Sequence, residues 1–376
     1  MGGLRSGTGC SLMPLFFANP AATCAPRRTE IERAIADVIN GNRYILGPQV
    51  AAFELSFASY CETAHAVGVG SGTDALSLAL LAANVGLEDE VITVSHTAVA
   101  TAAAIARIGA VPIFVDTAPQ YYTLNAEGLA AALSPKTKAI IVVHLFGQAA
   151  DMDSILDFAH LNDLVVIEDC AQAHGARYKG RRVGSMGDFG CFSFYPTKNL
   201  GGIGDGGAVV TQNAQAAERI RQLREYGWDK NRISQGVGMN SRLDELQAAI
   251  LNVNLKYLDQ DTQRRRAVAA QYDTALAELP IDLPKVHPGC EHVYHLYVIS
   301  VQRRDDLMVH LSSQGIVPGI HYAMPVHMQP AYQFKRQTAL MVTERAAKRI
   351  LSLPMYPALS DADVAEVVTA LHSFYN

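Results

Sequence analysis

The residue of this sequence best suited to covalent chemistry is Lys198. It lies between an aromatic stretch, residues 192–195, and a glycine-rich stretch, residues 201–207, with few other charges nearby. A lysine at the end of such a strand is partly desolvated, which lowers the pKa of its amine and makes it a candidate nucleophile. A lone lysine is more often a surface residue, so the interpretation depends on its neighbours.

Two adjacent carboxylates, Glu168 and Asp169, follow the apolar run 164–167. Such a run predicts a buried parallel strand, and the carboxyl ends of these strands face the ligand crevice of an open α/β sheet. Asp169 is therefore placed for chemistry, or else forms a structural pair with a neighbouring base. Asp169 with His174 is too small a ligand set for a metal site, and we predict none.

The glycine-rich segment 68–75 ends a predicted strand and begins a predicted helix. Backbone N–H groups at such a junction bind anions, and glycines let a phosphate approach closely. From Gly70 the segment also matches the dinucleotide pattern G-x-G-x-x-A, but the next strand, 91–94, is not followed by the acid that would hold a ribose. A single phosphate is favoured, with a tight turn and a threonine helix cap as the alternative.

A second glycine-rich segment, residues 202–207, leads into a strand and so lacks the helix that a dinucleotide site needs. We interpret it as a loop packed beside a bound group, or as an ordinary turn. The phosphate site, the acid after a strand and the lysine together supply what pyridoxal phosphate requires. These are an anion cradle, a group that keeps the pyridine nitrogen protonated, and an amine for a Schiff base.

The elements that position these residues are predicted from periodicity. Short β-rich runs alternate with amphipathic stretches, which indicates a doubly wound α/β unit with parallel strands. The predicted strands are 65–70, 90–94, 111–115, 138–143 and 164–168, and the predicted helices between them are 73–84, 98–108, 125–133 and 151–161.

After residue 170 the pattern predicts two strands around a glycine-rich loop within 188–211, and then mostly helices to 279. The rest predicts a strand at 293–301, a helix at 303–313, a loop at 318–330, and helices near 340–351 and 360–374. We therefore expect an irregular N-terminal arm, a large cofactor-binding domain and a small C-terminal α+β domain. Their predicted bounds are 1–28, 29–258 and 259–376.

Composition excludes several classes of protein. The 376 residues carry a net charge of −5, so no positive field exists to collect nucleic acid. Six cysteines without a C-x-x-C pair indicate neither a zinc site nor a disulfide framework, which fits a reducing cytoplasm. No apolar run reaches the length of about 20 residues that a membrane span requires, and the N-terminal segment is a poor signal peptide.

With these motifs in view, the chain resembles the DegT/StrS family of sugar aminotransferases, fold-type-I enzymes that depend on pyridoxal phosphate. The resemblance extends from about Arg43 to the C-terminus. Its motifs are residues 43–48, 70–76, 168–175, 193–200 and 238–249.

The resemblance implies roles for individual residues. Lys198 would form the covalent link to the cofactor, Asp169 would pair with the pyridine nitrogen, and Gln172 would bond the ring hydroxyl. The phosphate ligands would be Gly72, Thr73 and Ser193, joined by Asn240 from a second subunit of a homodimer with shared active sites.

Recognition of the substrate is implied for four further residues, Tyr195, Tyr226, His321 and His327. Many relatives have an aromatic ring over the cofactor at the position of Ala98. Alanine cannot stack, so His96 is a candidate to cover the cofactor, with a helix cap as its alternative role.

The function implied is transfer of an amino group from an amino acid, L-glutamate, to a keto group of a nucleotide-linked deoxysugar in amino sugar or polysaccharide biosynthesis. The motifs favour a dTDP-3-keto-6-deoxyhexose, with a 4-keto sugar nucleotide or a keto-cyclitol as alternatives. A non-catalytic regulatory protein with the same fold is the alternative from another class, and retention of the lysine argues against a dehydratase.

Overall fold

A computed structural model describes residues 14–333 and 339–376. Among these residues, seven strands form the central sheet in the order β2-β10-β9-β6-β5-β3-β4, and the shorter strands pair elsewhere. The strands are β1 Leu15–Phe16, β2 His65–Val69, β3 Glu90–Val94, β4 Val111–Val115, β5 Thr137–Val143, β6 Val165–Asp169, β7 Arg177–Tyr178, β8 Arg181–Arg182, β9 Phe189–Ser193, β10 Gly207–Thr211, β11 Cys290–Glu291, β12 Tyr297–Ser300, β13 Ile316–Val317 and β14 Ile350–Leu353.

Helices cover the sheet and build the C-terminal part of the chain. They are α1 Pro20–Cys24, α2 Arg28–Ile39, α3 Pro48–Tyr60, α4 Gly72–Ala82, α5 Val99–Arg107, α6 Leu129–Ala132, α7 Met152–Leu161, α8 Ala214–Leu223, α9 Glu245–Leu255, α10 Leu258–Ala275, α11 Arg304–Ser313, α12 Met341–Ala347 and α13 Asp361–Tyr375. Over the ranges that the structure describes, none of these helices has the length and apolar character needed to cross a membrane.

The central sheet is mostly parallel, and β10 is the strand that runs against its neighbours β2 and β9. The strands read as continuous apolar runs because helices cover both faces. In β5, for example, Ile140, Ile141 and Val142 are all fully buried. The five strands predicted before residue 170 and the pair around the glycine-rich loop are confirmed to within one residue or two at each end.

Parallel strands bring their carboxyl ends to one edge of the sheet. Asp169 ends β6, Ser193 ends β9, and Gly72 begins the helix that follows β2. Three segments that are far apart in sequence therefore meet at this edge, where ligands of open α/β sheets bind.

The C-terminal part has its own hydrophobic core, built mainly from α10, α11, α13 and the antiparallel pair β12–β14. The predicted helix 340–351 was wrong in its last residues. The helix ends at Ala347, and Ile350, Leu351 and Leu353 are buried in a strand that pairs with β12. The apolar residues at its end read as a continued helix because the pairing strand is about 50 residues away in sequence.

The predicted arm is not wholly irregular in its described part. Strand β1 pairs in parallel with β13, and Pro20–Cys24 is helical with Asn19 as its N-cap. The partition of the chain at 28/29 and 258/259 stays a prediction.

Candidate active site

A cavity of about 250 Å³ opens at the carboxyl edge of the sheet. The sequence-predicted residues on its wall are Gly72, Thr73, Asp169, Gln172, Ser193, Tyr195 and Lys198. The motifs that were separate in sequence thus converge in one space. Ala98 also lies on the wall, together with Thr97 and Asp205.

Lys198 is a half-buried residue in the turn that follows β9, where its backbone N–H donates to the Tyr195 carbonyl at 2.8 Å. Burial lowers the pKa of its amine to about 8, while the charge of Asp169 acts in the opposite direction. A substantial fraction of the amine is therefore neutral near pH 8, as a nucleophile requires.

Asp169 is buried at the end of β6. Its Oδ2 accepts a hydrogen bond from Thr101 Oγ1 at 2.8 Å, and its Oδ1 accepts one from the Ala171 N–H at 3.2 Å. Burial raises the pKa of Asp169, and these two bonds and the Lys198 charge oppose that rise. Both oxygens keep lone pairs that can accept from a ring N–H in the cavity.

The first turn of α4 forms one wall of the cavity. Ser71 is the N-cap, and its Oγ accepts from the Asp74 N–H at 3.1 Å, so Ser71 rather than Thr73 caps the helix. A Cβ at Gly72 would lie 2.6 Å from Ser193 Cβ, which means that the helix start and the end of β9 are in close contact. Free backbone N–H groups at a helix start beside two hydroxyl side chains suit a phosphate.

Gln172 is held by two hydrogen bonds of its side-chain amide. Its Oε1 accepts from the Phe146 N–H at 2.8 Å, and its Nε2 donates to Tyr322 Oη at 2.8 Å. The amide therefore has a fixed orientation at the cavity wall.

Glu168, the neighbour of Asp169, has a structural role. It is fully buried and accepts from the backbone N–H groups of Gly184, Met186 and Gly187, and its Oε2 lies 2.9 Å from His144 Nε2. These bonds lower its pKa against the effect of burial. Donor atoms of Glu168, His144 and Cys170 lie within 4.8 Å of one another, but these hydrogen bonds account for the carboxylate without a metal.

Comparison with known proteins identifies the chain. The model of the DegT/DnrJ/EryC1/StrS aminotransferase family matches residues 26–372. The chain belongs to this family. It is 45% identical over 361 residues to the dTDP-3-amino-3,4,6-trideoxy-alpha-D-glucose transaminase of Streptomyces venezuelae, and the match covers 95% of each chain.

Solved structures of the DegT/DnrJ/EryC1/StrS family share the fold. The crystal structure of S. venezuelae DesV in complex with a ketimine intermediate matches with a TM-score of 0.95 at 44% identity, covering 97% of this chain and 99% of that one. NtdA from Bacillus subtilis with bound cofactor PMP matches with a TM-score of 0.90 at 32% identity, covering 97% and 86%. The predicted fold-type-I class and the predicted aminotransferase activity are confirmed.

Two of the family-derived candidates are buried away from the cavity wall. The ring of His96 is fully buried, 5.9 Å from the rings of both Tyr122 and Phe146. It does not cap α5, whose N-cap is Ala98, and its role toward the cofactor stays a prediction. His327 is buried too, with Nδ1 2.6 Å from the Oγ of Ser95, which follows β3, and its role toward a substrate stays a prediction.

His321 lies close enough to Lys198 for the lysine charge to act on it. Burial and that charge lower the pKa of His321 to about 4, so the ring is neutral at physiological pH. Its Nδ1 lies 2.9 Å from Ser352 Oγ, and its ring meets that of Phe17 edge to face at 5.0 Å. It is not part of the cavity wall, and its role toward a substrate stays a prediction.

Tyr226 and Asn240 lie outside the cavity of their own chain. Tyr226 is 40% exposed and packs against Trp228, and Asn240 is exposed in an isolated β-bridge with Glu225. The role of Tyr226 toward a substrate and the contribution of Asn240 to a site in a second subunit stay predictions.

Sequence reasoning missed two residues that contact the predicted ones. Thr101 bonds Asp169, and Tyr322 bonds Gln172. The signal for Tyr322 was present, since it stands next to His321 in a loop already linked to substrate. The sequence did not indicate a role for Thr101, because a threonine in a mostly apolar helix is usually interpreted as a packing residue.

Proposed function

We propose that this protein is a pyridoxal phosphate-dependent aminotransferase that moves an amino group from L-glutamate to the 3-keto carbon of a dTDP-linked 6-deoxyhexose. The observation that carries the proposal is the convergence of Lys198, Asp169 and the first turn of α4 on one cavity. Family membership supports the same reaction class.

The donor set of the cavity fits pyridoxal phosphate. Gly72 lies so close to Ser193 that a larger residue at position 72 would collide with it. An anion site at a helix start needs such an open approach to the backbone N–H groups. Gly72, Thr73 and Ser193 would hold the phosphate, Asp169 the ring nitrogen, and Gln172 the ring hydroxyl. Lys198 would hold the aldehyde carbon through its Nζ.

When bound, the cofactor supplies a carbon that takes up amino groups and a ring that withdraws electrons from the substrate. Lys198 Nζ would accept the proton from the α-carbon of the amino donor and hold it for transfer in the following step. Asp169 holds the proton on the ring nitrogen by its negative charge. The buried wall around both residues limits water, which strengthens these interactions.

The substrate class rests on the relatives. The S. venezuelae relative is named for a dTDP-linked sugar with its amino group at carbon 3, and the match covers nearly all of both chains. The experiment below also distinguishes the alternatives, which are a 4-keto sugar nucleotide or a keto-cyclitol as the acceptor, and a non-catalytic regulatory protein.

The test follows the absorbance of the purified protein loaded with pyridoxal phosphate. L-glutamate should convert the cofactor to its amine form, and a panel of keto sugar nucleotides should restore the original spectrum, with the dTDP-3-keto-6-deoxyhexose fastest. L-glutamine and a keto-cyclitol are run in parallel to identify the donor and the acceptor. A protein that binds the cofactor but shows no change with any amino acid would be the non-catalytic alternative.

Lys198→Ala should abolish both the covalent link and the conversion. Lys136→Ala is the matched control, because the amine of this exposed lysine pairs on the surface with Glu88, away from the cavity. Borohydride reduction makes an imine link between protein and cofactor permanent. If Lys198→Ala still retained the cofactor covalently after this treatment, the assignment of the lysine would be refuted.

A further inference from the structure

Two threonine hydroxyls form a hydrogen-bonded chain that ends at Asp169. Thr97 lies just before α5 and Thr101 lies in its first turn, and their Oγ1 atoms are 2.9 Å apart. Thr101 Oγ1 is 2.8 Å from Asp169 Oδ2. All three residues are buried, which limits the competition of water for these bonds.

The direction of these bonds follows from counting protons. An ionised carboxylate only accepts, so the single hydroxyl proton of Thr101 goes to Asp169. The Oγ1 of Thr101 can then only accept from Thr97, whose own proton completes the chain. A hydroxyl that itself accepts a hydrogen bond is a stronger donor to the next group.

This arrangement opposes the effect of burial on the acid. Burial is the largest influence on the pKa of Asp169 and raises it, and the Thr101 bond is the first of those that lower it. A carboxylic acid that became neutral here could no longer hold a proton on a ring nitrogen by charge. The threonine bond therefore acts on the property of Asp169 that the reaction needs.

Other groups also face Asp169 from the surrounding elements. The charge of Lys198 and that of His144 when protonated lower its pKa. Nearby neutral groups with raised pKa values are Tyr322, Cys170 and Cys191. None of these donates a hydrogen bond to the carboxylate among the described contacts, in contrast to Thr101.

We propose that Thr101, supported by Thr97, is a positioning residue that keeps the carboxylate of Asp169 charged and oriented toward the cofactor ring. This inference rests on the proposed function. It adds a residue that acts through Asp169 rather than on the substrate.

The test compares Thr101→Val, which removes the hydroxyl at nearly constant shape, with Thr101→Ser, which keeps it. Two quantities are measured: the dissociation constant of pyridoxal phosphate, and the pH profile of turnover. In Thr101→Val, Asp169 takes up its proton at higher pH. The acidic limb of the turnover profile should therefore move up by about one pH unit, and the affinity for pyridoxal phosphate should fall about tenfold. Thr101→Ser should retain the wild-type limb and affinity.

A Thr101→Val protein with the same acidic limb and the same affinity as Thr101→Ser overturns the inference. If Thr101→Val does not fold, as judged by circular dichroism, Thr97→Val decides: it should give a smaller shift in the same direction, and no shift overturns the inference. Failure of the proposed function looks different, because the wild-type protein itself would then not convert bound cofactor with any amino acid.

Discussion

The amine of Lys198 is subject to two opposing influences. Burial lowers its pKa to about 8, and the charge of Asp169 raises it. Only the neutral amine attacks the cofactor aldehyde. The rate at which the cofactor-free protein captures pyridoxal phosphate should therefore rise with pH and level off above about pH 8, as stopped-flow absorbance can measure.

Asp169→Asn removes the influence that raises the lysine pKa, so the midpoint of that capture profile should move to lower pH. The variant should still bind cofactor but lose roughly 10²- to 10³-fold in turnover, the usual loss when one preorganised charge contact is removed. Asp157→Asn, on the exposed side of α7, is the control and should change neither. A midpoint that rises, or turnover near wild type, would contradict the role given to Asp169.

Tyr322, in the C-terminal part of the chain, places its hydroxyl against the Gln172 amide on the cavity wall. Burial raises its pKa, so the phenol is neutral and accepts the Gln172 Nε2–H bond. Tyr322→Phe leaves that donor without its partner and should weaken cofactor binding by about tenfold, which titration calorimetry measures. Tyr121→Phe, off the cavity wall, should bind as wild type; equal affinities in the two variants would exclude a role for the Tyr322 hydroxyl.

The start of α4 depends on the absence of a side chain at Gly72. Gly72→Ala places a Cβ 2.6 Å from Ser193 Cβ, so the helix and β9 must separate. We expect affinity for both pyridoxal phosphate and inorganic phosphate to fall about tenfold or more while the fold survives. Gly86→Ala is the control, since a Cβ there meets nothing within 4 Å. Unchanged phosphate affinity in Gly72→Ala would place the anion elsewhere.

The elements around the site were largely predictable from local pattern. Asp169 and Ser193 each end a strand of continuous apolar residues, and parallel strands bring such ends together, so the sequence alone indicated that they meet. Thr101 and Tyr322 could not be found this way. Their roles come from the packing of α5 and of a distant loop onto the sheet edge, which no spacing along the chain encodes.

For two histidines, the structure adds contacts that the sequence did not indicate. The family resemblance linked His327 to the substrate, and the missing aromatic ring at Ala98 made His96 a candidate to cover the cofactor. Both side chains are buried, and both roles stay predictions. A histidine near a site can pack within the protein or bind a ligand, and only its three-dimensional contacts distinguish these two roles. His327, with Ser95 and Glu344 as its contacts, illustrates this.

The prediction that each active site is built from two subunits concerns the whole homodimer. Asn240 is exposed and off its own cavity, which is expected of a residue that serves a partner. A purified heterodimer of a Lys198→Ala chain with an Asn240→Ala chain would then contain one fully intact site and should show about half of wild-type activity.

The matched heterodimer carries both substitutions in one chain beside a wild-type chain. With shared sites, its only lysine-bearing site lacks the asparagine, so it should be the less active of the two. If each chain used its own Asn240, the order would reverse. A protein that elutes as a monomer at assay concentration would also contradict sharing.

The reversed direction of β10 has one more consequence. Its first residue, Gly207, pairs with Val69 on one side and with Ser193 on the other, and a Cβ there would lie 2.4 Å from the Ser71 backbone. The absence of a side chain at Gly207 thereby lets β10 approach the start of α4, where we propose that the phosphate binds. Any side chain at position 207 would push β10 away from the start of α4 without itself contacting the ligand.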